Sequence, residues 1–118
     1  MIRIRRAYSA PLPGEGICYL VDRYWPRGIT KESLGARAWL RQAAPSAELC
    51  RWFGHEVEKW VEFQRRYAAE LDGNPDAWQP LLEAARRGTI TLLFGAREEE
   101  HNNAAVLKSY LEEKLKEV

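Results

Sequence analysis

Two runs of uninterrupted apolar or β-branched residues, Ile17-Cys18-Tyr19-Leu20-Val21 and Thr89-Ile90-Thr91-Leu92-Leu93-Phe94-Gly95-Ala96, constrain the fold of this chain more than any other feature. A strand with one wet face alternates apolar and polar residues. A strand that stays apolar at successive positions must be covered on both faces, the condition of a parallel sheet between helical layers. The long stretch between the two runs carries helical spacing, and a helical crossover between buried strands calls for parallel, right-handed pairing. The expectation is therefore an α/β protein with Rossmann-like layering: a small parallel-core sheet of about three strands flanked by helices, with Ile17–Val21 and Thr89–Phe94 as neighbours. The third strand is the alternation of Ile2 and Ile4 with Arg3 and Arg5, running to about Tyr8, which reads as an edge.

Punctuation divides the rest. Pro11, Pro13, Gly14 and Gly16 make residues 9–16 a loop. Pro26, Gly28 and Thr30 form a turn and a helix cap, followed by an expected helix over Lys31–Ala44. Pro45 and Ser46 open a second short helix that Gly54 ends. Glu56–Leu71 is an amphipathic helix with Val57, Trp60, Val61, Tyr67, Ala68 and Leu71 on its apolar side. Asn74-Pro75 begins another, in which Pro80 predicts a kink or a delayed start. Asn102 or Asn103 caps a last helix with Ala104, Leu107, Leu111 and Leu115 on its buried stripe.

At 118 residues this is the length of a single domain, 1–118. With 46% hydrophobic residues and a net charge of +1, the chain is neither a disordered tail nor a strongly basic surface. Nucleic acid remains open as a partner, but net charge does not signal it. No apolar run is long enough to span a bilayer and no secretory segment opens the chain, so no membrane partner and a cytoplasmic location are expected. Cys18 and Cys50 lack metal or redox spacing and read as reduced, buried thiols. Neither GxxxxGK[ST] nor GxGxxG occurs, and no cofactor is assigned.

In an open parallel sheet, ligands bind outside the carboxyl ends of the strands, which places the candidate site in the loops Asp22–Lys31 and Arg97–Asn103. Arg23, Arg27 and Lys31 supply positive charge, Asn102 borders the last helix start, and helix N-termini favour anions, so a small anionic ligand is the expected partner. Trp25 is the one aromatic of the site loop. His101 is the candidate proton-transfer group, with Asp22 as a second catalytic candidate. Arg27 and His101 are expected to share one site because their strands are expected to be neighbours. The competing reading pairs Arg23 and Arg27 with Asp22 or Glu98 to Glu100 as clips of the sheet edge. His55 reads as a cap or a satisfied surface group, the Glu98–Glu100 run as solvated, with no metal assigned, and Trp39, Trp60 and Trp78 as core anchors. Covalent catalysis has no support, because Ser9 and Ser46 lack a nucleophile-elbow pattern and Cys18 sits in mid-strand.

Asp22-Arg23-Tyr24-Trp25-Pro26-Arg27-Gly28, Ala44-Pro45-Ser46 leading to Trp52-Phe53-Gly54-His55, Phe63 to Leu71, and Glu99-Glu100-His101-Asn102 occur in that order. Together they resemble the YeaO-like proteins, a family of unknown function, over nearly the whole chain. The resemblance implies the family's fold and no activity. Longer relatives have Cys-His-Arg after the glutamate-histidine pair, where this chain has Asn102-Asn103-Ala104, so thiol or second-histidine chemistry does not carry over. Two readings stand: an anion-accepting cleft, in an enzyme acting on a phosphate-bearing or nucleotide-like substrate, or a non-catalytic binding or interaction module.

Overall fold

The computed structural model describes residues 1–117. Four strands, β1 (Ile2–Arg6), β2 (Ile17–Leu20), β3 (Ala38–Trp39) and β4 (Ile90–Phe94), form one parallel sheet in the order β1-β4-β2-β3. β4 pairs on one side with β1, Ile2 opposite Ile90 through Arg6 opposite Phe94, and on the other with β2, Ile17 opposite Ile90 through Leu20 opposite Leu93. The two apolar runs are thus adjacent and parallel, as their composition requires. Every residue of β4 is buried.

β3 is the strand that the sequence pattern did not give, and it lies inside the stretch expected to be one helix over Lys31–Ala44. That helix stops early. α1 covers only Lys31–Leu34, capped at its start by Thr30, and Gly35 ends it in the left-handed conformation (φ 67°). The chain then runs along the open edge of β2, where Arg37 N–H donates to Cys18 O (2.7 Å) and Leu40 N–H to Leu20 O (2.8 Å), before a 3₁₀ turn at Arg41–Ala43. Helix-forming side chains were outweighed by unpaired edge hydrogen bonds.

The two faces of the sheet are covered unequally. α2 (Ala47–Phe53), α3 (Trp60–Asp72), α4 (Pro75–Arg87) and α5 (Asn103–Lys116) supply the main core, which includes Ile2, Val21, Ile90, Leu92 and Phe94 from the sheet side. The opposite face has a smaller cluster, Ala7, Leu20 and Leu93 under Leu34 of α1, with Trp25 and Ile29 against it. A buried ion pair, Arg5 to Glu15 (2.5 Å), and a bond from Thr91 Oγ1 to Glu15 O (2.7 Å) hold loop 9–16 there.

Two expectations need correction. α3 buries Phe63, Tyr67 and Leu71, while Val57, in a 3₁₀ turn before the helix, and Val61 are 59% and 78% exposed. Trp39 lies on the edge strand and is exposed, whereas Trp78 is buried and Trp60 half-buried. α4 starts at Pro75 and continues through Pro80, whose missing N–H falls on the exposed side of the helix. Among the described residues, no helix is long and apolar enough to cross a membrane.

Candidate functional site

At the carboxyl end of the sheet, where β1, β2 and β4 all deliver their following residues, lies a cleft of about 360 Å³. That volume suits a small molecule. Asp22 forms part of its floor, and its position follows from β2: the strand ends at Leu20, Val21 N–H still reaches Leu93 O (3.2 Å), and the next side chain turns across β4. One carboxylate oxygen accepts from the Gly95 backbone N–H (2.8 Å) and the other from Asn103 Nδ2 (3.0 Å), which also donates to Val21 O (3.0 Å). Burial raises the Asp22 carboxyl above its ordinary range, partly offset by the Asn103 and Gly95 hydrogen bonds and by His55 nearby. The approach is close: a Cβ added at Gly95 would stand 3.1 Å from the Asp22 carboxylate, so the carboxylate would have to shift by a few tenths of an ångström.

Arg23 is the only Lys or Arg among the described residues lining the cleft. Its Nε donates to Pro45 O (2.6 Å), which fixes the guanidinium plane, and no described group accepts from its two terminal nitrogens. Cys50 lies on the same wall, its thiol pushed up by burial and partly lowered by Arg23. Phe53 and Phe63 stack on each other (4.1 Å between centroids) and make the apolar wall. Trp25 joins the lining with its Nε1 committed to Ile29 O (2.7 Å). Asn102 also lines the cleft, but its amide is spent as the α5 cap, accepting from Ala105 N–H (3.0 Å) and donating to Glu98 O (3.0 Å).

The cleft thus brings together Asp22, Arg23, Trp25 and Asn102 from the sequence-predicted set. Arg27, Lys31 and His101 are not among its lining residues. Arg27 is exposed, and its carbonyl accepts from Tyr8 OH (2.8 Å). Lys31 is exposed at the first position of α1. His101 Nδ1 is 2.7 Å from Glu98 Oε1, and the ring meets Trp60 edge-on at 5.0 Å. Glu98 is held below the usual carboxylate range chiefly by the His101 backbone and side chain. Glu98, Glu100 and His101 offer potential metal-ligand atoms within 4.8 Å of one another, the two glutamates exposed.

His55, which the sequence reads as a cap or a satisfied surface group, reaches the cleft. It follows the left-handed Gly54 (φ 53°) that ends α2, is itself left-handed (φ 60°), and lines the cleft with its ring 5.9 Å from Phe53. A non-glycine residue held at positive φ stores strain of the kind found at binding sites. The place of His55 directly after a C-capping glycine is visible in the sequence, but the left-handed backbone and the direction of its ring are not. Asn103, Cys50, Phe53 and Phe63 reach the cleft through the packing of α2, α3 and α5, which no local pattern announces.

The fold and the cleft define an α/β protein with a ligand-sized opening at the carboxyl edge of a parallel sheet. Residues 1–118 match the family model described as "Inactive DUF488-N3 subclade". The chain is 36% identical over 110 residues to "Uncharacterized protein YeaO" of Escherichia coli (strain K12), covering 93% of this chain and 96% of that one. It is likewise 36% identical over 110 residues to "Uncharacterized protein Rv3073c" of Mycobacterium tuberculosis (strain ATCC 25618 / H37Rv), covering 93% of this chain and 92% of the relative. The chain belongs to this YeaO-like DUF488 family. No solved structure matches.

Proposed function

We propose that this protein binds, without transforming it, a compact ligand with a flat or apolar body and one anionic group, a nucleotide-like or phosphate-bearing molecule being the expected class. What carries this reading is Arg23, a guanidinium oriented by the Pro45 carbonyl at the edge of an otherwise largely apolar cleft. A planar fork held at Nε offers two parallel N–H bonds to a phosphate or carboxylate. The start of α5, whose Asn102 and Asn103 border the same cleft, adds a favourable field for negative charge.

Two observations support binding over turnover. Asp22, the acid closest to a catalytic position, has both oxygens engaged by Gly95 and Asn103 and acts as a clamp between β2, β4 and α5. His101 is turned to Glu98 and Trp60 and is not part of the cleft lining. The matching subclade is described as inactive, in agreement with a site that keeps its shape and does no chemistry.

The test is a thermal-shift and calorimetric screen against nucleoside monophosphates, sugar phosphates and aromatic carboxylates, with mass spectrometry of each mixture. A hit should raise the melting temperature of the wild type by mass action. Arg23→Ala should lose at least tenfold in affinity, on the order of the ~1.5–3 kcal/mol of a charge-assisted hydrogen bond. Turnover of a bound compound that Asp22→Asn or His55→Gln abolishes would overturn the reading in favour of an enzyme.

A further inference from the structure

The charge of the chain is balanced in total and uneven along its length: residues 1–45 hold eight of the 18 Lys and Arg but only three of the 17 acids. Glu15 and Arg5 are buried as a pair and cancel, which leaves seven cations against two acids. Four of the cations, Arg6, Arg23, Arg27 and Arg41, lie at or after the ends of the first three strands, and exposed aromatic rings lie there too. Tyr8 follows β1, Tyr24 follows β2, and Trp39 closes β3; they are 45%, 58% and 38% exposed. Arg6 lies over the Tyr8 ring at 4.9 Å and Arg41 over Trp39 at 5.6 Å. Trp25 braces Trp39 from the side (5.5 Å, 72° between planes), and Tyr8 OH ties the exposed Arg27 segment to β1 (2.8 Å).

We propose that this rim of exposed aromatics and arginines at the carboxyl edge of the sheet is a platform for single-stranded nucleic acid. Bases stack on Tyr24, Trp39 and Tyr8, and phosphates meet Arg6, Arg27 and Arg41. From β1 to β3 the rim crosses three strand spacings of ~4.8 Å, about 14 Å, which accommodates more than one nucleotide. Single strands are the class of polyanion that uses both halves of the arrangement, since every base has a face to stack and every linkage a charge. A duplex or an acidic peptide would engage the arginines and leave the rings idle. Of the acids of loop 97–101, Glu98 is engaged by His101, whose ring meets Trp60 of α3 edge-on.

Tyr8 and Tyr24 also line the cleft, whereas Trp39, Arg27 and Arg41 do not. Loss of oligonucleotide binding in Trp39, Arg27 and Arg41 variants that keep small-ligand binding therefore separates this inference from the small-ligand reading. The experiment is fluorescence anisotropy with labelled oligonucleotides of about 12 residues, oligo-dT, oligo-rU and a duplex of equal length, since such platforms cover on the order of 4–16 nucleotides. Wild type should bind at least one single strand more tightly than the duplex. Tyr24→Ala and Trp39→Ala should each weaken binding about tenfold or more. Arg27→Gln and Arg41→Gln should each reduce the slope of log K against log salt by about 0.7, the value for one phosphate contact on a single strand. Tyr24 makes no side-chain hydrogen bond among the described residues, so its variant keeps the test valid if Trp39→Ala, which loses the bond to Asp22 O (2.7 Å), folds poorly. Which of the two single strands binds tighter identifies the natural class. The proposal is overturned if neither single strand binds, or if binding is equal for the duplex and indifferent to the aromatic substitutions, which would leave unspecific charge attraction.

Discussion

Asp22 joins three elements with one side chain, and its protonation links the site to stability. Because burial raises its carboxyl in the folded state, the native protein holds the Asp22 proton at pH values where the unfolded chain has released it. The stability contributed by this group is therefore full below the unfolded value of about 4 and is lost as pH rises through the raised native value. Asp22→Asn cannot titrate. Its deficit relative to wild type should narrow as pH rises from about 4 through the raised native value, measured by urea unfolding. A deficit that stays constant or widens would show that the native carboxyl is not raised. Gly16 and Gly28 make a second residue-scale contrast. Both have positive φ, 67° and 76°, but a Cβ at Gly16 would lie 1.9 Å from Thr89 O while one at Gly28 meets nothing within 4 Å. Gly28→Ala should cost about 1–2 kcal/mol for the left-handed backbone alone. Gly16→Ala must also separate loop 9–16 from β4, and should cost clearly more, on the scale of the largest single-residue effects, above about 4 kcal/mol. Equal midpoints in urea would contradict that reading.

The elements of this fold were legible where their chemistry is local. Thr30, Ser46 and Asn102 each cap a helix through a side-chain oxygen, as their residue types and spacing required. β4 was legible because it is buried throughout, and β2 from its apolar run, although Ile17 is exposed and Cys18 and Tyr19 are half-buried; the cleft lies at the carboxyl edge of these strands. β3 was not, because two residues carry no period and the strand exists only through its bonds to β2. Nor was the direction of the site side chains: Arg27 depends on where Tyr8 holds its backbone, and His101 on Glu98 and Trp60. α2 shows how a local cap becomes a tertiary clamp. Ser46 Oγ accepts from Leu49 N–H (3.1 Å) and donates to Glu70 of α3 (2.6 Å), while Ser46 N–H donates to the other Glu70 oxygen (2.8 Å). Ser46→Ala should cost about 1–2 kcal/mol. Glu70→Ala should cost a similar amount, and the double variant less than the sum, with a coupling of about 0.5–3 kcal/mol. Since α2 carries Cys50 and Phe53 and leads directly into His55, both variants should also weaken ligand binding at the cleft. Additive costs would mean that α2 is held by its apolar face alone.

At the scale of the whole molecule, the sheet divides a thick layer from a thin one, and the two cysteines report on different parts of that division. Four helices of seven to 14 residues bury one face, whereas a four-residue helix and two loops close the other. Regions with few buried apolar contacts open locally at a lower free energy than the global transition. Cys18 lies on the thin side, half-buried, with its thiol donating weakly to Glu15 Oε1 (3.7 Å) and pushed up first by burial and then by the Glu15 charge. At any pH below its raised value it carries less thiolate than an ordinary cysteine, so attack on the folded state is slow. The route to labelling is lifting of loop 9–16, which breaks the Arg5 to Glu15 pair and exposes little apolar surface. In a Cys50→Ser variant, the labelling rate of Cys18 should therefore rise only weakly with urea, well below the dependence of global unfolding, while Arg5→Met should speed it at least tenfold by loosening the loop. In the converse Cys18→Ser variant, Cys50 labelling should be slowed by a compound bound in the cleft and left unchanged by Arg5→Met. If Cys18 labels with the full urea dependence of unfolding, the thin face is as cooperative as the thick one, and the buried ion pair, not the helical layer, sets the stability of that side.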